Sequence, residues 1–181
     1  MVEYITRDTL RSTGGTLTEQ ASVLRKAQAR SPQGSTFLSH SSKDIDILPG
    51  VIAILERHGA TVYVDKKDDS LPPTTSRDTA TILRGRIRQS RKFLLLTTTN
   101  SKDSRWMPWE LGLADGYKSP TNTAIFPGVD SATERTWAER EYLGIYDRVV
   151  YGDLQGQPRP VFMVYNQEKH TATELSVWLK A

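Results

Sequence analysis

Short apolar runs alternate along most of this chain with longer segments in which apolar residues recur every three or four positions. Short apolar and β-branched runs bounded by turn formers predict strands, and the longer periodic segments predict amphipathic helices. The strands are predicted at 36–40, 60–65, 93–99, 124–127, 148–151 and 161–165. The helices are predicted at 17–29, 47–58, 76–90, 105–116, 134–143 and 171–180. Strands that alternate with crossover helices indicate an α/β fold whose parallel sheet is covered on both faces.

The same pattern divides the chain into a core and two extensions. Residues 1–34 hold one helix, which opens on a Thr-Leu-Thr-Glu capping box and is followed by a Ser-Pro-Gln-Gly break, so they predict an N-terminal helical extension. Residues 35–151 hold the regular alternation and predict the core domain. Residues 152–181 begin with a Gly- and Pro-rich turn and predict a C-terminal strand–helix extension that packs on the core.

The composition excludes several kinds of chemistry. The chain has no cysteine, which excludes disulfides, zinc–thiolate sites and thiol catalysis. The three histidines, His40, His58 and His170, lie far apart without the spacing of metal ligands, so no metal is expected. No apolar run reaches the roughly 18 residues of a membrane span, and the first residues do not resemble a signal peptide. We therefore expect a cytoplasmic protein that does not bind membranes.

A cluster of basic residues raises the question of nucleic-acid binding, since the net charge is +3. The cluster consists of Arg84, Arg86, Arg88, Arg91 and Lys92. These residues punctuate an amphipathic helix, and the segment contains no aromatic side chain that could stack on bases. A solvated helix face is the favoured interpretation, and nucleic acid is not an expected partner.

The stretch from residue 93 to residue 111 carries the strongest candidate site. A buried strand leads into a polar loop, Ser104 is a plausible N-cap, and a helix follows. Trp106 and Glu110 are four residues apart on that helix and share one face. A carboxylate at the carboxyl end of a buried strand is where an open α/β sheet places its ligand. Taken alone, the pair is more often a packed aromatic beside a solvated acid.

Three stretches, in order, resemble the signatures of one domain family. Residues 37–44, Phe-Leu-Ser-His-Ser-Ser-Lys-Asp, are similar to the opening strand–loop signature of bacterial TIR (Toll/interleukin-1 receptor) domains. Residues 65–73 resemble the second signature and its BB loop, and residues 104–111 resemble the third, with a Ser, a Trp and a Glu on one helix. The chain is identified as a member of this family over residues 35–151. It departs from the pattern at Met107, where the family has a Cys, and at the Leu-Pro-Pro of 71–73, where Pro-Gly is usual.

The resemblance implies both a fold and an activity. The fold is a flavodoxin-like, doubly wound sheet of five parallel strands in the order 2-1-3-4-5. The activity is cleavage of the nicotinamide–ribose bond by an NAD glycohydrolase or ADP-ribosyl cyclase, with NAD as substrate and no cofactor. Glu110 occupies the position of the catalytic glutamate. The switch point of such a sheet lies between its first and third strands, so loops 39–44 and 100–110 are expected to converge on one cleft.

The residues expected to contact substrate are Phe37, Ser39, Ser41, Ser104 and Trp106. For three of them an ordinary structural role stays open. Trp106 can equally pack on the core, Ser104 can cap its helix, and Phe37 can be a plain strand residue.

The resemblance extends to partners. The chain is similar to the TIR proteins of Thoeris antiphage defence, which implies a cyclic ADP-ribose-type product sensed by a separate effector. It also implies association with other TIR domains through the loop at 66–75. One alternative is a non-catalytic TIR scaffold or adaptor, which would have no need of Glu110. Another is a hydrolase resembling nucleoside deoxyribosyltransferases, which share the flavodoxin-like sheet.

Overall fold

A mostly parallel sheet forms the centre of the molecule in a computed structural model that describes residues 2–65, 77–104, 106–134 and 141–181. The strands are β1 (Val2–Glu3), β2 (Ile5–Thr6), β3 (Thr36–Ser39), β4 (Val62–Tyr63), β5 (Lys92–Thr97), β6 (Thr123–Val129), β7 (Asp147–Gly152), β8 (Val161–Asn166) and β9 (Thr171–Glu174). The helices are α1 (Arg7–Thr13), α2 (Leu17–Ala29), α3 (Leu48–Arg57), α4 (Arg77–Gln89), α5 (Trp106–Lys118) and α6 (Leu175–Lys180). Short 3₁₀ turns cover Ser42–Asp44, Thr99–Asp103, Pro120–Asn122 and Glu141–Ile145.

The strand order confirms the predicted topology. The sheet runs β4-β3-β5-β6-β7-β8-β9, and the first five of these strands pair in parallel. Numbered along the chain, those five strands follow the order 2-1-3-4-5 of a flavodoxin-like sheet. The last two strands, β8 and β9, continue the sheet in antiparallel pairing.

Helices cover both faces of the parallel strands, which explains why these strands are apolar without interruption. All six residues of β5 are buried, and successive side chains point to opposite faces. Leu94 and Leu96 join a cluster with residues of α1, α3 and α6, whereas Phe93 and Leu95 join a cluster with residues of α4 and α5. The predicted doubly covered sheet is therefore confirmed.

The N-terminal segment is more than a helical extension. Its helix α2 coincides with the predicted 17–29, and Thr16 and Glu19 form the expected capping box. In addition, β1 pairs with β7 and β2 pairs with β6, while α1 packs against α3. At the α1–α3 contact, a Cβ on Gly50 would lie 1.8 Å from the carbonyl oxygen of Leu10. The boundaries at residues 34 and 151 stay a prediction.

Two predicted helices need correction, and two predicted features lie outside the described residues. The first half of the predicted helix 171–180 is strand β9, because its alternating, Thr-rich sequence pairs with β8. Of the predicted helix 134–143, residues 135–140 are not described, and Glu141–Ile145 form a 3₁₀ turn. The predicted BB loop and the helix start at Ser76 also fall among residues that are not described. No helix in the described ranges is long and apolar enough to cross a membrane.

Candidate functional site

A buried carboxylate meets the end of a central strand at the switch point of the sheet. The Ser39 hydroxyl at the end of β3 donates a hydrogen bond to Glu110 Oε2 on α5. Both side chains are fully buried. The start of α5 is fixed as predicted, since the Ser104 hydroxyl accepts a hydrogen bond from the Met107 N–H at 3.3 Å. Burying a carboxylate is costly unless it is hydrogen-bonded, and the Ser39 hydroxyl supplies such a hydrogen bond to Glu110.

A second buried carboxylate joins the loops that follow β3 and β5. Asp44 Oδ2 accepts a hydrogen bond from the Thr98 hydroxyl at 2.7 Å, and Asp44 Oδ1 accepts one from Asn100 Nδ2 at 2.7 Å. Asn100 Nδ2 also donates to the carbonyl of Lys43 at 3.3 Å. The two loops therefore lie side by side at the carboxyl edge of the sheet, as the topology predicts.

Phe37 and Ser41 have structural contacts that account for their positions. The Phe37 ring has no exposed surface; it stacks on Phe93, with ring centroids 5.5 Å apart, and meets Tyr63 at a tilt of 58°, with centroids 5.4 Å apart. Phe37 is thus part of the core. The Ser41 hydroxyl caps the 3₁₀ turn that follows it by accepting a hydrogen bond from the Lys43 N–H at 3.3 Å. Their contact with substrate stays a prediction.

Trp106 lies at the edge of the core. It is half-buried, and its ring meets Trp109 edge-on with centroids 5.5 Å apart. It does not belong to any of the buried hydrophobic clusters of the described residues. This position leaves part of the ring surface available for contact with another molecule, and its stacking on substrate stays a prediction.

Asp65 is held by its own neighbours just before the residues that are not described. It accepts hydrogen bonds from the Tyr63 hydroxyl at 3.0 Å and from the Arg86 guanidinium. Burial raises the pKa of Tyr63, and the adjacent Asp65 carboxylate raises it further. These contacts give Asp65 a role in anchoring the end of this segment.

Sequence reasoning missed Arg7 as a residue near the site. Its guanidinium lies 3.5 Å from Asp44, 3.8 Å from Asp130 and 3.9 Å from Asp46. It belongs to α1, which carries no recognisable motif, so no local signal pointed to it. Within the described ranges, no group of three or more His, Cys, Asp or Glu residues is placed to hold a metal ion.

Arg84, Arg88 and Arg91 of the basic cluster are exposed, as a solvated helix face predicts, whereas Lys92 is buried. Arg84 lies over the Trp109 ring at 5.5 Å, and Arg88 lies over the Tyr117 ring at 4.7 Å. Both aromatic partners lie on α5. Arg91 donates to the carbonyl of Leu179, and Lys92 donates to Asn122 at 2.5 Å.

The fold and this edge define a flavodoxin-like α/β protein with a buried carboxylate at the switch point. The TIR domain family matches residues 36–160, more than half of the chain, and the chain therefore belongs to the TIR domain family.

Two relatives have names that describe an activity. One, from Bacillus cereus, is named "Probable 3' cyclic ADP-D-ribose synthase ThsB'"; it is 34% identical over 135 residues, which cover 74% of this chain and 69% of the relative. The other, from Cytobacillus dafuensis, is named "Putative cyclic ADP-D-ribose synthase TIR2". It is 32% identical over 78 residues, which cover 41% of this chain and 21% of the relative.

Proposed function

We propose that this chain is an NAD-consuming TIR enzyme that cleaves the nicotinamide–ribose bond, with Glu110 as its catalytic residue. The observation that carries the proposal is the buried Ser39–Glu110 contact, which joins the first and third family signatures at the switch point of the sheet. Two relatives named as cyclic ADP-D-ribose synthases support a reaction on an ADP-ribose donor.

One carboxylate is sufficient for this chemistry. When the bond between nicotinamide and the ribose C1′ breaks, the electron pair goes to the pyridinium nitrogen and nicotinamide departs as a neutral molecule. The leaving group therefore needs no general acid, unlike the alcohol of an ordinary glycoside. Positive charge develops on the ribose, and the Glu110 carboxylate, oriented by Ser39, stabilises it.

We propose that the product is a cyclic ADP-ribose. A nucleophile must then attack C1′ and lose a proton: water gives linear ADP-ribose, whereas a group of the same molecule gives a cyclic isomer. The names of both relatives support the cyclic outcome. By resemblance to Thoeris proteins, a separate effector senses this product.

We further propose that self-association with other TIR domains opens the site. The Glu110 side chain has no exposed surface, so the groups that cover it must move before ribose can reach the carboxylate. Movements of this kind commonly gate enzymes. Nicotinamide release per molecule should then rise with protein concentration over a dilution series followed by light scattering. A constant specific activity from a monomer would contradict this proposal.

The test of the activity is nicotinamide release from NAD by the wild type, Glu110→Gln and Glu56→Gln. Glutamine keeps the shape and can still accept the Ser39 hydrogen bond, but it lacks the charge. Loss of such a group costs about 3 kcal/mol or more, or at least roughly 100-fold in rate. Glu56 lies on α3 and pairs with Arg30, so Glu56→Gln is the matched control.

The outcomes separate the enzyme from the scaffold. The proposal requires an active wild type, an active Glu56→Gln and a folded but inactive Glu110→Gln. A folded Glu110→Gln with wild-type turnover would refute the role of Glu110. A wild type that associates with TIR domains but releases no nicotinamide would favour the adaptor. Chromatography against ADP-ribose and its cyclic isomers then identifies the product.

A further inference from the structure

We infer that Arg7 is a positioning residue that holds the two loops of the site in place through the buried carboxylate of Asp44. The inference rests on the function proposed above. Arg7 lies outside the matched family region, in a segment that the sequence pattern assigned to an extension. Its guanidinium nevertheless reaches the carboxyl edge of the sheet, where it lies 3.5 Å from Asp44.

The backbone around Arg7 is anchored on both sides. Before it, β2 pairs with β6 at Ile5 and Thr6, and the Thr6 hydroxyl caps α1 by accepting a hydrogen bond from the Thr9 N–H at 3.2 Å. After it, Leu10 is fully buried and its carbonyl packs directly against Gly50 of α3. The side chain of Arg7 is only 13% exposed. The guanidinium is therefore a fixed charge.

Asp44 connects this fixed charge to both loops. It follows Ser39 in the chain, and it accepts hydrogen bonds from Thr98 and Asn100, which precede α5 and Glu110. Asp44 has no exposed surface, and a buried carboxylate is costly without a countercharge. Without Arg7, the side chains that donate to Asp44 among the described residues are the neutral Thr98 and Asn100. The loops would then shift, and the Ser39–Glu110 geometry with them.

The surroundings of Arg7 argue against a direct contact with substrate. Asp46 and Asp130 lie 3.9 Å and 3.8 Å from its guanidinium, in addition to Asp44. An anionic pyrophosphate that approached Arg7 would meet these carboxylates as well. Arg11, one turn further along α1, pairs with Asp46 at 2.8 Å and Asp8 at 2.9 Å, and provides a matched cation for comparison.

The test compares Arg7→Met, Arg7→Lys and Arg11→Met by melting temperature and by kcat and KM for nicotinamide release. A small displacement of a reacting group can cost about 100-fold in rate, so we expect Arg7→Met to lower kcat about 10- to 100-fold with little change in KM. Arg7→Lys restores the charge and should recover part of kcat. Arg11→Met should retain the wild-type kcat.

Three outcomes would overturn the inference. These are a folded Arg7→Met with wild-type kcat, an equal loss in Arg11→Met, or a loss that lies in KM alone. If Arg7→Met does not fold, Thr98→Val provides the second test of the inference. It removes the hydroxyl that donates to Asp44 and leaves the sequence of α1 unchanged. Thr98→Val should lower kcat, and a wild-type kcat there would refute the link through Asp44. Failure of the proposed function itself is distinguishable, since the wild type would then release no nicotinamide.

Discussion

The two edges of the parallel sheet bury charges of opposite sign. At the carboxyl edge, Glu110 accepts a hydrogen bond from Ser39 at the end of β3, and Asp44 accepts hydrogen bonds from the loop that follows β5 and lies beside Arg7. At the amino edge, the Lys92 ammonium lies over the Trp178 ring at 4.6 Å, and the Lys118 ammonium donates to the carbonyl of Ser90, just after α4. The same strand, β5, connects the two edges.

The comparison shows that burial of a charge does not by itself mark a functional site. Lys118 satisfies a carbonyl at the end of a helix, which is a structural task. Glu110 instead meets a strand-end hydroxyl at the switch point, where this fold class binds its ligands. We therefore assign chemistry to the carboxyl edge and stability to the amino edge, and the predictions below test that assignment.

The largest loss of stability is expected from Gly50→Ala, which disturbs the packing of α3 against α1, the helix that carries Arg7. The new Cβ would lie 1.8 Å from the Leu10 carbonyl oxygen, so α1 must move. We expect a loss of about 1–3 kcal/mol in the free energy of unfolding, the usual cost of overpacking, with lower activity. Gly85→Ala on α4 is the control, because its Cβ would meet nothing within 4 Å and should stabilise the protein. Equal stabilities in urea titrations would contradict the tight α1–α3 contact.

A smaller effect is expected from Trp106→Ala. Because the ring is half-buried, its removal should cost less stability than Gly50→Ala and less than the ~3–5 kcal/mol of a core tryptophan. It should still reduce turnover if Trp106 stacks on substrate. Trp109→Ala breaks the same edge-on ring pair from the other side and serves as the control. If both variants release nicotinamide at the same rate, Trp106 has no special role at the site.

The smallest predicted effect is a pH-dependent change in the free energy of unfolding that arises from Lys118 at the amino edge. Burial lowers the pKa of Lys118 from 10.5 to about 8. Between these values the unfolded chain binds more protons at this site than the native protein, so the contribution of Lys118 to the unfolding free energy rises with pH. The wild type should gain stability relative to Lys118→Met from about pH 7 to about pH 10, by on the order of 1 kcal/mol.

Denaturant titrations of the two proteins measure this difference. The raised pKa values of Tyr63 and Tyr146 affect both proteins alike and cancel. A difference that stays constant or falls with pH would contradict the lowered pKa of the buried Lys118.

The parallel core and the position of Glu110 could be predicted because the sequence signals for them lie within short, continuous stretches of the chain. Apolar runs identify β3, β5 and β6, and Ser104 as a helix cap marks where α5 begins. Strands β1 and β2 could not be predicted, since they depend on pairing with the distant strands β7 and β6. Arg7 was missed for the same reason: its carboxylate partners come from residues 37 or more positions away, and only the fold brings them together.

The most direct test of the account compares one buried charge from each edge, Glu110→Gln and Lys118→Met, under identical conditions. For each variant, nicotinamide release from NAD is measured per folded molecule, together with the melting temperature. The account requires Glu110→Gln to melt like the wild type and release no nicotinamide, while Lys118→Met keeps wild-type release whatever its melting temperature. Wild-type turnover in Glu110→Gln, or an inactive but fully folded Lys118→Met, would contradict the assignment of the chemistry to the carboxyl edge.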